Sequence, residues 1–222
     1  PNSNLLLTKE KHVFLIVEKN KTTKLLNEKK LKQNQIVDPR YILDFFEKLK
    51  KGSILCDEKT CSLYFEKVIE KKFNVIKKED PIYILKSIKN KIEIKNMINT
   101  HIIDGVALTK FIYWIKNLKK FNITEVDAQN RLEKFRRMDS KYLFPSFNTI
   151  AGSGKNGAIV HYRATKNNTK LLKRNEIFLC DSGGQYKFGT TDVTRTICFG
   201  NQNTNIKNIF TNVLKGHIAV AQ

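Results

Sequence analysis

Cysteine is scarce, long apolar runs are missing and acidic residues are outnumbered, and each shortage closes off a class of protein. Four cysteines in 222 residues point to a reducing compartment. Cys56 and Cys61 are separated by Asp-Glu-Lys-Thr, and no second Cys or His pair follows at finger spacing, which argues against a structural zinc site. No signal-peptide pattern is present and no apolar run is long enough to cross a bilayer, so the expected location is cytoplasmic, with no membrane partner. Only 21 Asp and Glu face 41 Lys and Arg, a formal charge of +20. That balance ordinarily points to nucleic acid or an anionic surface. Here the lysines are scattered, and the clusters Glu28-Lys29-Lys30 and Lys48-Leu-Lys-Lys51 read as solvated faces. Without a recognition-helix, zinc-finger or RNP-type signature, nucleic acid is not an expected partner.

What is present begins with a small α/β pattern. His12 to Glu18 reads as a strand. Asp38-Pro39 reads as an N-cap and first-turn proline opening a helix to Lys51, closed by Gly52. Ser53 to Asp57 reads as a strand, Thr60 to Lys72 as a helix and Phe73 to Ile76 as a further strand. Charge and proline interrupt the pattern at Asp80 to Asn90, which is the expected junction between a region 1–85 and a region 86–222. Beyond it, Lys91 to about Leu118 reads as a long helix with Ile94, Met97, Ile98, His101, Ile102, Leu108 and Ile112 on its buried face, His101 as a core histidine. Thr124-Glu-Val-Asp127 reads as a capping box opening a helix to Met138. Helices followed by antiparallel strands predict an α+β fold for this half, and 41% hydrophobic residues suffice for a packed core.

The most informative string is Asp181-Ser-Gly-Gly-Gln-Tyr-Lys-Phe-Gly-Thr-Thr-Asp192-Val-Thr-Arg-Thr196. Glu176 to Asp181 and Thr190 to Phe199 read as the strands of a hairpin, with Gly183, Gly184 and Gly189 between them. Alternation puts Asp192, Thr194 and Thr196 on one face, so Asp181 opposite Asp192 would bring two carboxylates together. Such carboxylates repel unless a cation lies between them, and all-oxygen ligation suits Mg²⁺ or Mn²⁺ better than structural zinc. The plainer alternative is a solvated turn aspartate and a strand aspartate paired to Arg195 or a lysine. Cys180 and Cys198 fall on opposite faces of the hairpin and should not form a disulfide. Gly152, Gly154 and Gly157 fit a strand-turn-strand in which backbone approaches something closely.

The string resembles the first metal-binding motif of the pita-bread metallopeptidases. Asn156-Gly-Ala-Ile-Val-His161-Tyr162 and Phe210-Thr-Asn-Val-Leu-Lys-Gly-His217-Ile-Ala219 are similar to the cytosolic type of Xaa-Pro aminopeptidase (aminopeptidase P), in that family's order. Asp80-Pro-Ile82, Ser87-Ile-Lys-Asn90 and His101-Ile-Ile-Asp-Gly-Val-Ala107 extend the resemblance over residues 80–222. It implies the latter part of a non-catalytic α/β domain of the creatinase N-terminal type, followed by the first half of a pita-bread catalytic domain. It further implies that Asp181 binds one divalent ion, that Asp192 bridges two, and that the ions are Mn²⁺. In such sites the ions lie roughly 3.5–4 Å apart and hold a hydroxide nucleophile. The implied substrates are peptides with proline in second position, which lose their first residue. His161 matches a histidine that contacts substrate and stabilises the tetrahedral intermediate without binding metal. A homodimer is implied for the full-length protein.

One departure accompanies the match. The family supplies a further histidine and two glutamates downstream of the Lys-Gly-His segment, whereas this sequence stops at Gln222 inside a helix that begins near Ile206 and carries Phe210, Val213, Leu214, Ile218 and Ala221 at helical spacing. The chain is therefore expected to be an internal fragment, inactive alone. The rival reading is a non-catalytic pita-bread binding module associated with nucleic acid or histones. Such relatives as a rule lose the aspartate pair that this chain keeps.

Overall fold

The computed structural model describes residues 3–222, in two compact units, the first ending at Ile88 and the second spanning Lys89–Gln222. In the first unit β1 (Asn4–Leu7) pairs antiparallel with β2 (Val13–Ile16). The short α1 (Thr23–Asn27) leads to β3 (Ile36–Val37), which runs parallel to β2. The Asp38 carboxylate accepts from the Arg40 N–H at 3.1 Å and caps a 3-10 turn, Pro39–Tyr41, that feeds α2 (Ile42–Lys48). The helix thus opens where the Asp-Pro pair predicts, but it ends short of Gly52.

A right-sized crossover follows. β4 (Ser53–Cys56) and β5 (Asn74–Lys77) are parallel, joined through α3 (Leu63–Glu70), the connection that parallel neighbours require. Ile16, Val37, Ile42, Phe46, Cys56, Val68, Ile69 and Phe73 form the core of this unit. Phe14, Phe45, Phe46 and Phe73 make a run of edge-on ring contacts at 5.0, 5.6 and 5.9 Å. α4 (Pro81–Ser87), capped by Asp80, closes the unit.

The second unit opens with α5 (Lys91–Lys116), whose cap Asn90 and Glu93 form a reciprocal box. α6 (Glu125–Arg136) has the predicted box between Thr124 and Asp127, with bonds of 3.1 and 2.8 Å. The buried side of α5 differs from the expected apolar stripe. Thr100, Asp104, Ala107, Leu108, Phe111 and Ile115 face inward, while Ile94, Ile98 and Ile102 are about half exposed. His101 is exposed as well, and its Nδ1 donates to the Met97 carbonyl at 2.9 Å. The inward side carries Asp104, buried beside Arg136 and Tyr186, and the core residues Leu108, Phe111 and Ile115.

Two antiparallel three-stranded sheets complete the unit. β6 (Tyr142–Pro145) pairs with β9 (Gly184–Tyr186), which also pairs with β10 (Gly189–Thr190). β7 (Ile150–Ser153) and β11 (Val193–Cys198) flank β8 (Ile177–Ser182). Phe178 and Cys180 point from β8 into a core with Leu108, Phe111, Ile115, Ala128, Leu132 and Ala151. Burial of each such large apolar side chain stabilises the fold by about 1.5–3 kcal/mol. All four cysteines are free, and Cys180 and Cys198 do lie on opposite faces, since Cys180 pairs with Arg195 and Cys198 with Ile177. α7 (Thr204–Ala221) buries none of its residues, and Phe210, Val213, Leu214 and Ile218 are all exposed. No helix among the described residues is long and apolar enough to cross a membrane.

Candidate metal centre

The site is built on β8 and β11. Their register sets Asp181 opposite Thr194, not opposite Asp192, with the last pair at Val193 and Ser182. The hairpin loop is itself structured, because β9 and β10 fold back as a second small hairpin. A two-residue difference in register leaves the face unchanged, since side chains alternate with period two. Asp192 comes directly before Val193, the first paired residue of β11, and so sits where the link enters the strand that carries Thr194 opposite Asp181.

The link that carries Asp192 is tightly held. Thr191 is buried; its N–H donates to the Gly184 carbonyl at 2.9 Å, and its hydroxyl accepts from the Gly184 N–H at 2.9 Å. Its carbonyl accepts from the Ser146 hydroxyl at 2.8 Å. Gly183 is what permits this: any Cβ there would collide with the Thr191 carbonyl and the Ser146 hydroxyl. The chain can therefore fold back against β8 and return as β11.

Asp181 and Asp192 differ in setting. Asp192 is exposed; Asp181 is half-buried, and its Oδ1 is buried with no hydrogen-bond partner. Among the described residues neither aspartate is ion-paired, so the alternative of a pair to Arg195 is not what forms; Arg195 donates to the Thr194 carbonyl instead. A desolvated carboxylate oxygen without a donor is costly unless a cation meets it. That orphaned atom makes Asp181 a fitting ligand for a hard divalent cation, and Asp192 is an exposed carboxylate free to join it. They are an incomplete set: no group of three His, Cys, Asp or Glu able to hold a metal occurs among the described residues, and such ions take about six oxygens.

His161 lies on a turn, not on a strand. After β7 the chain makes a 3-10 helix, Gly154–Ala158, in place of the second strand that the glycines suggest. The close approach is real: a Cβ on Gly152 would lie 2.7 Å from the Gly157 nitrogen. Gly157 in turn faces Leu179, with 3.4 Å between its Cβ position and Leu179 Cβ. Leu179 and Asp181 share one face of β8, so the 3-10 helix leading to His161 packs on the face that carries Asp181. His161 itself is exposed and has φ +55°, a left-handed backbone that non-glycine residues rarely take.

Beneath this turn is a group that no sequence motif marks as functional. Glu125 is fully buried and accepts hydrogen bonds from the Ser153 N–H (2.7 Å), Asn156 Nδ2 (3.0 Å), the Tyr162 hydroxyl (2.8 Å) and the Lys170 N–H (3.0 Å). Burial, and then the bond to Glu125, push the Tyr162 hydroxyl up to about 12. Arg136, Asp104, Tyr186 and Ser182 form a second buried network that ties α5 and α6 to β8 and β9. The available signals were Glu125 inside the Thr124 to Asp127 string and Asp104 inside the His101 to Ala107 string.

An antiparallel sheet backed by α5 and α6 is the arrangement of a pita-bread fold, and comparison with known proteins gives the same class. The model of metallopeptidase family M24 matches residues 95–222, and that of the creatinase/prolidase N-terminal domain matches residues 1–93. The chain belongs to metallopeptidase family M24. It is 43% identical over 162 residues to the Xaa-Pro aminopeptidase ApepP of Drosophila melanogaster, covering 72% of this chain and 26% of that one. It is 44% identical over 146 residues to aminopeptidase P2 of Arabidopsis thaliana, covering 65% and 21%. The chain thus spans about a quarter of the length of the curated relatives it matches. Among solved structures, the X-Pro aminopeptidase of Thermotoga maritima superposes with a TM-score of 0.76 at 21% identity, over 96% of this chain and 58% of that one. The X-prolyl aminopeptidase of Caenorhabditis elegans, described as a cytosolic enzyme with a di-nuclear active site, gives 0.74 at 22% identity, over 91% and 35%.

Proposed function

We propose that the protein containing these residues is a cytoplasmic Xaa-Pro aminopeptidase that releases the first residue of peptides with proline in second position. Residues 1–85 belong to its non-catalytic α/β domain and residues 86–222 to the catalytic half that supplies Asp181, Asp192 and His161. The observation that carries this is the buried, partnerless Oδ1 of Asp181, with Asp192 directly ahead of the strand whose Thr194 pairs with Asp181. Asp181 would hold one divalent ion and Asp192 would lie between two, with Mn²⁺ as the ions. Two such ions, when bound, activate a water and polarise the peptide carbonyl. His161, exposed on its strained turn, would donate to the carbonyl oxygen as negative charge develops there. Because the described residues hold no group of three His, Cys, Asp or Glu able to bind a metal, these 222 residues by themselves are expected to show no hydrolysis.

The test is metal content and activity of the full-length protein with and without Asp181→Asn. The expected outcome is loss of bound Mn²⁺ together with loss of proline-second tripeptide hydrolysis. Unchanged Mn²⁺ content in the variant overturns the assignment of Asp181. A wild-type protein that binds no divalent ion favours the binding-module reading.

A further inference from the structure

Glu125 stands out among the buried groups because it is a carboxylate with no cation. It is 0% exposed, and no ion pair involves it among the described residues. Burying a carboxylate is costly unless its oxygens are satisfied. Here both oxygens are. Oε1 accepts from the Ser153 N–H at 2.7 Å and Asn156 Nδ2 at 3.0 Å; Oε2 accepts from the Tyr162 hydroxyl at 2.8 Å, the Lys170 N–H at 3.0 Å and Asn156 Nδ2 at 3.2 Å. Its place in the first turn of α6 adds the favourable end of that helix.

The donors are not scattered. Ser153 and Asn156 precede the His161 turn, and Tyr162 follows His161 directly, so one carboxylate grips both ends of the segment 153–162. Asn156 Nδ2 also lies 2.8 Å from the Tyr162 hydroxyl, which closes the ring of contacts. Within the segment, the Ile159 N–H donates to the Asn156 carbonyl at 3.2 Å and the Tyr162 N–H to the Ile159 carbonyl at 3.1 Å. His161 is the exposed member at φ +55°, flanked by exposed Val160 and buried Tyr162. A backbone in that region persists only where its surroundings over-determine it. Those surroundings are the Glu125 contacts.

We infer that Glu125 is the positioning residue for His161: it holds the 153–162 turn in the strained conformation that presents the imidazole to the Asp181 face. Glutamine at this position keeps the shape but sets its amide N–H₂ against an obligatory backbone donor whichever way it is turned, the Ser153 N–H on one side or the Lys170 N–H on the other, so at least one contact is lost. The inference rests on the proposed role of His161 for its catalytic consequence, while the structural part stands separately.

The experiment uses the full-length, Mn²⁺-loaded protein carrying Glu125→Gln, His161→Ala or both. Amide exchange across residues 153–163 is expected to accelerate in Glu125→Gln, with bound Mn²⁺ unchanged. kcat on a proline-second peptide should fall by a factor similar to that of His161→Ala, with KM little changed, and the double variant should fall no further. If Glu125→Gln does not fold, Tyr162→Phe, which leaves the other Glu125 donors in place, should show a smaller effect in the same direction. Unchanged exchange in this segment, or losses that multiply in the double variant, overturn the inference. Should His161→Ala leave kcat untouched, the role given to His161 fails, and the exchange result then decides the positioning claim by itself.

Discussion

Removing the carboxylate of Asp104 should be among the most damaging single changes in the second unit. Asp104 and Arg136 are each 1% exposed. Arg136 donates to Asp104 through Nε at 2.7 Å and Nη2 at 3.2 Å, and the Tyr186 hydroxyl donates to the same carboxylate at 2.8 Å. Asp104→Ala would leave the guanidinium buried with one neutral partner, the Ser182 hydroxyl at 3.1 Å. Breaking one side of a buried pair costs about 3–5 kcal/mol. An exposed pair such as Lys24 with Glu28, whose side chains are 85% and 37% exposed, is screened by solvent and contributes far less. The assay is a urea titration followed through the fluorescence of Trp114, the one tryptophan, which packs 5.9 Å from Phe111 in the core of the same unit. Tyr186→Phe removes one hydrogen bond to a charged acceptor and should cost about 1.5–3 kcal/mol. The double change Asp104→Leu with Arg136→Met removes the stranded charge and should cost less than Asp104→Ala alone. A loss below about 1 kcal/mol for Asp104→Ala, or a double variant whose loss equals the sum of the single ones, refutes the reasoning.

Two further outcomes follow from the geometry. Gly183→Ala should destabilise by about 1–3 kcal/mol, the usual cost of overpacking, because the new methyl meets the Thr191 carbonyl. It should also weaken Mn²⁺ uptake by displacing the link that carries Asp192; uptake equal to wild type by metal analysis would contradict that. Tyr162, held neutral by burial and by Glu125, should ionise near 12 and not near the ordinary 10.0. A folded value raised above the unfolded one means that its contribution is complete below pH 10 and is lost as pH rises toward 12. Difference absorbance between wild type and Tyr162→Phe isolates it from Tyr142 and Tyr186, which burial also raises. Ionisation of Tyr162 together with exposed tyrosines would count against the Glu125 contact.

Elements specified by neighbours in sequence were legible. The capping box at Thr124 and the Asp-Pro start at Asp38 follow from spacings of a few residues, and the strand-helix-strand order through α3 and the opposite facing of Cys180 and Cys198 follow from patterns within single elements. The face of Asp181 was legible too, because alternation survives a two-residue difference in register. The register itself was not, since it depends on β9 pairing with β6 about forty residues upstream. Nor was the orientation of α5. Periodicity favoured the stripe of Ile94, Ile98 and Ile102, but Asp104 is paired to Arg136 and Tyr186 at separations of 32 and 82 positions.

Glu125 shows where local reading stops. In Thr124-Glu-Val-Asp127 the cap accounts fully for Thr124 and Asp127, and a glutamate in the first turn has a sufficient local role beside the helix dipole. Nothing within four residues tells such a glutamate from a solvated one. What buries it is the segment 153–170, which wraps the start of α6 and brings four residues to its two oxygens. The sequence distance between the cap and the turn hides their coupling. His161 and Glu125 are therefore read together only once the fold has placed both: the histidine by its motif, the glutamate by its burial.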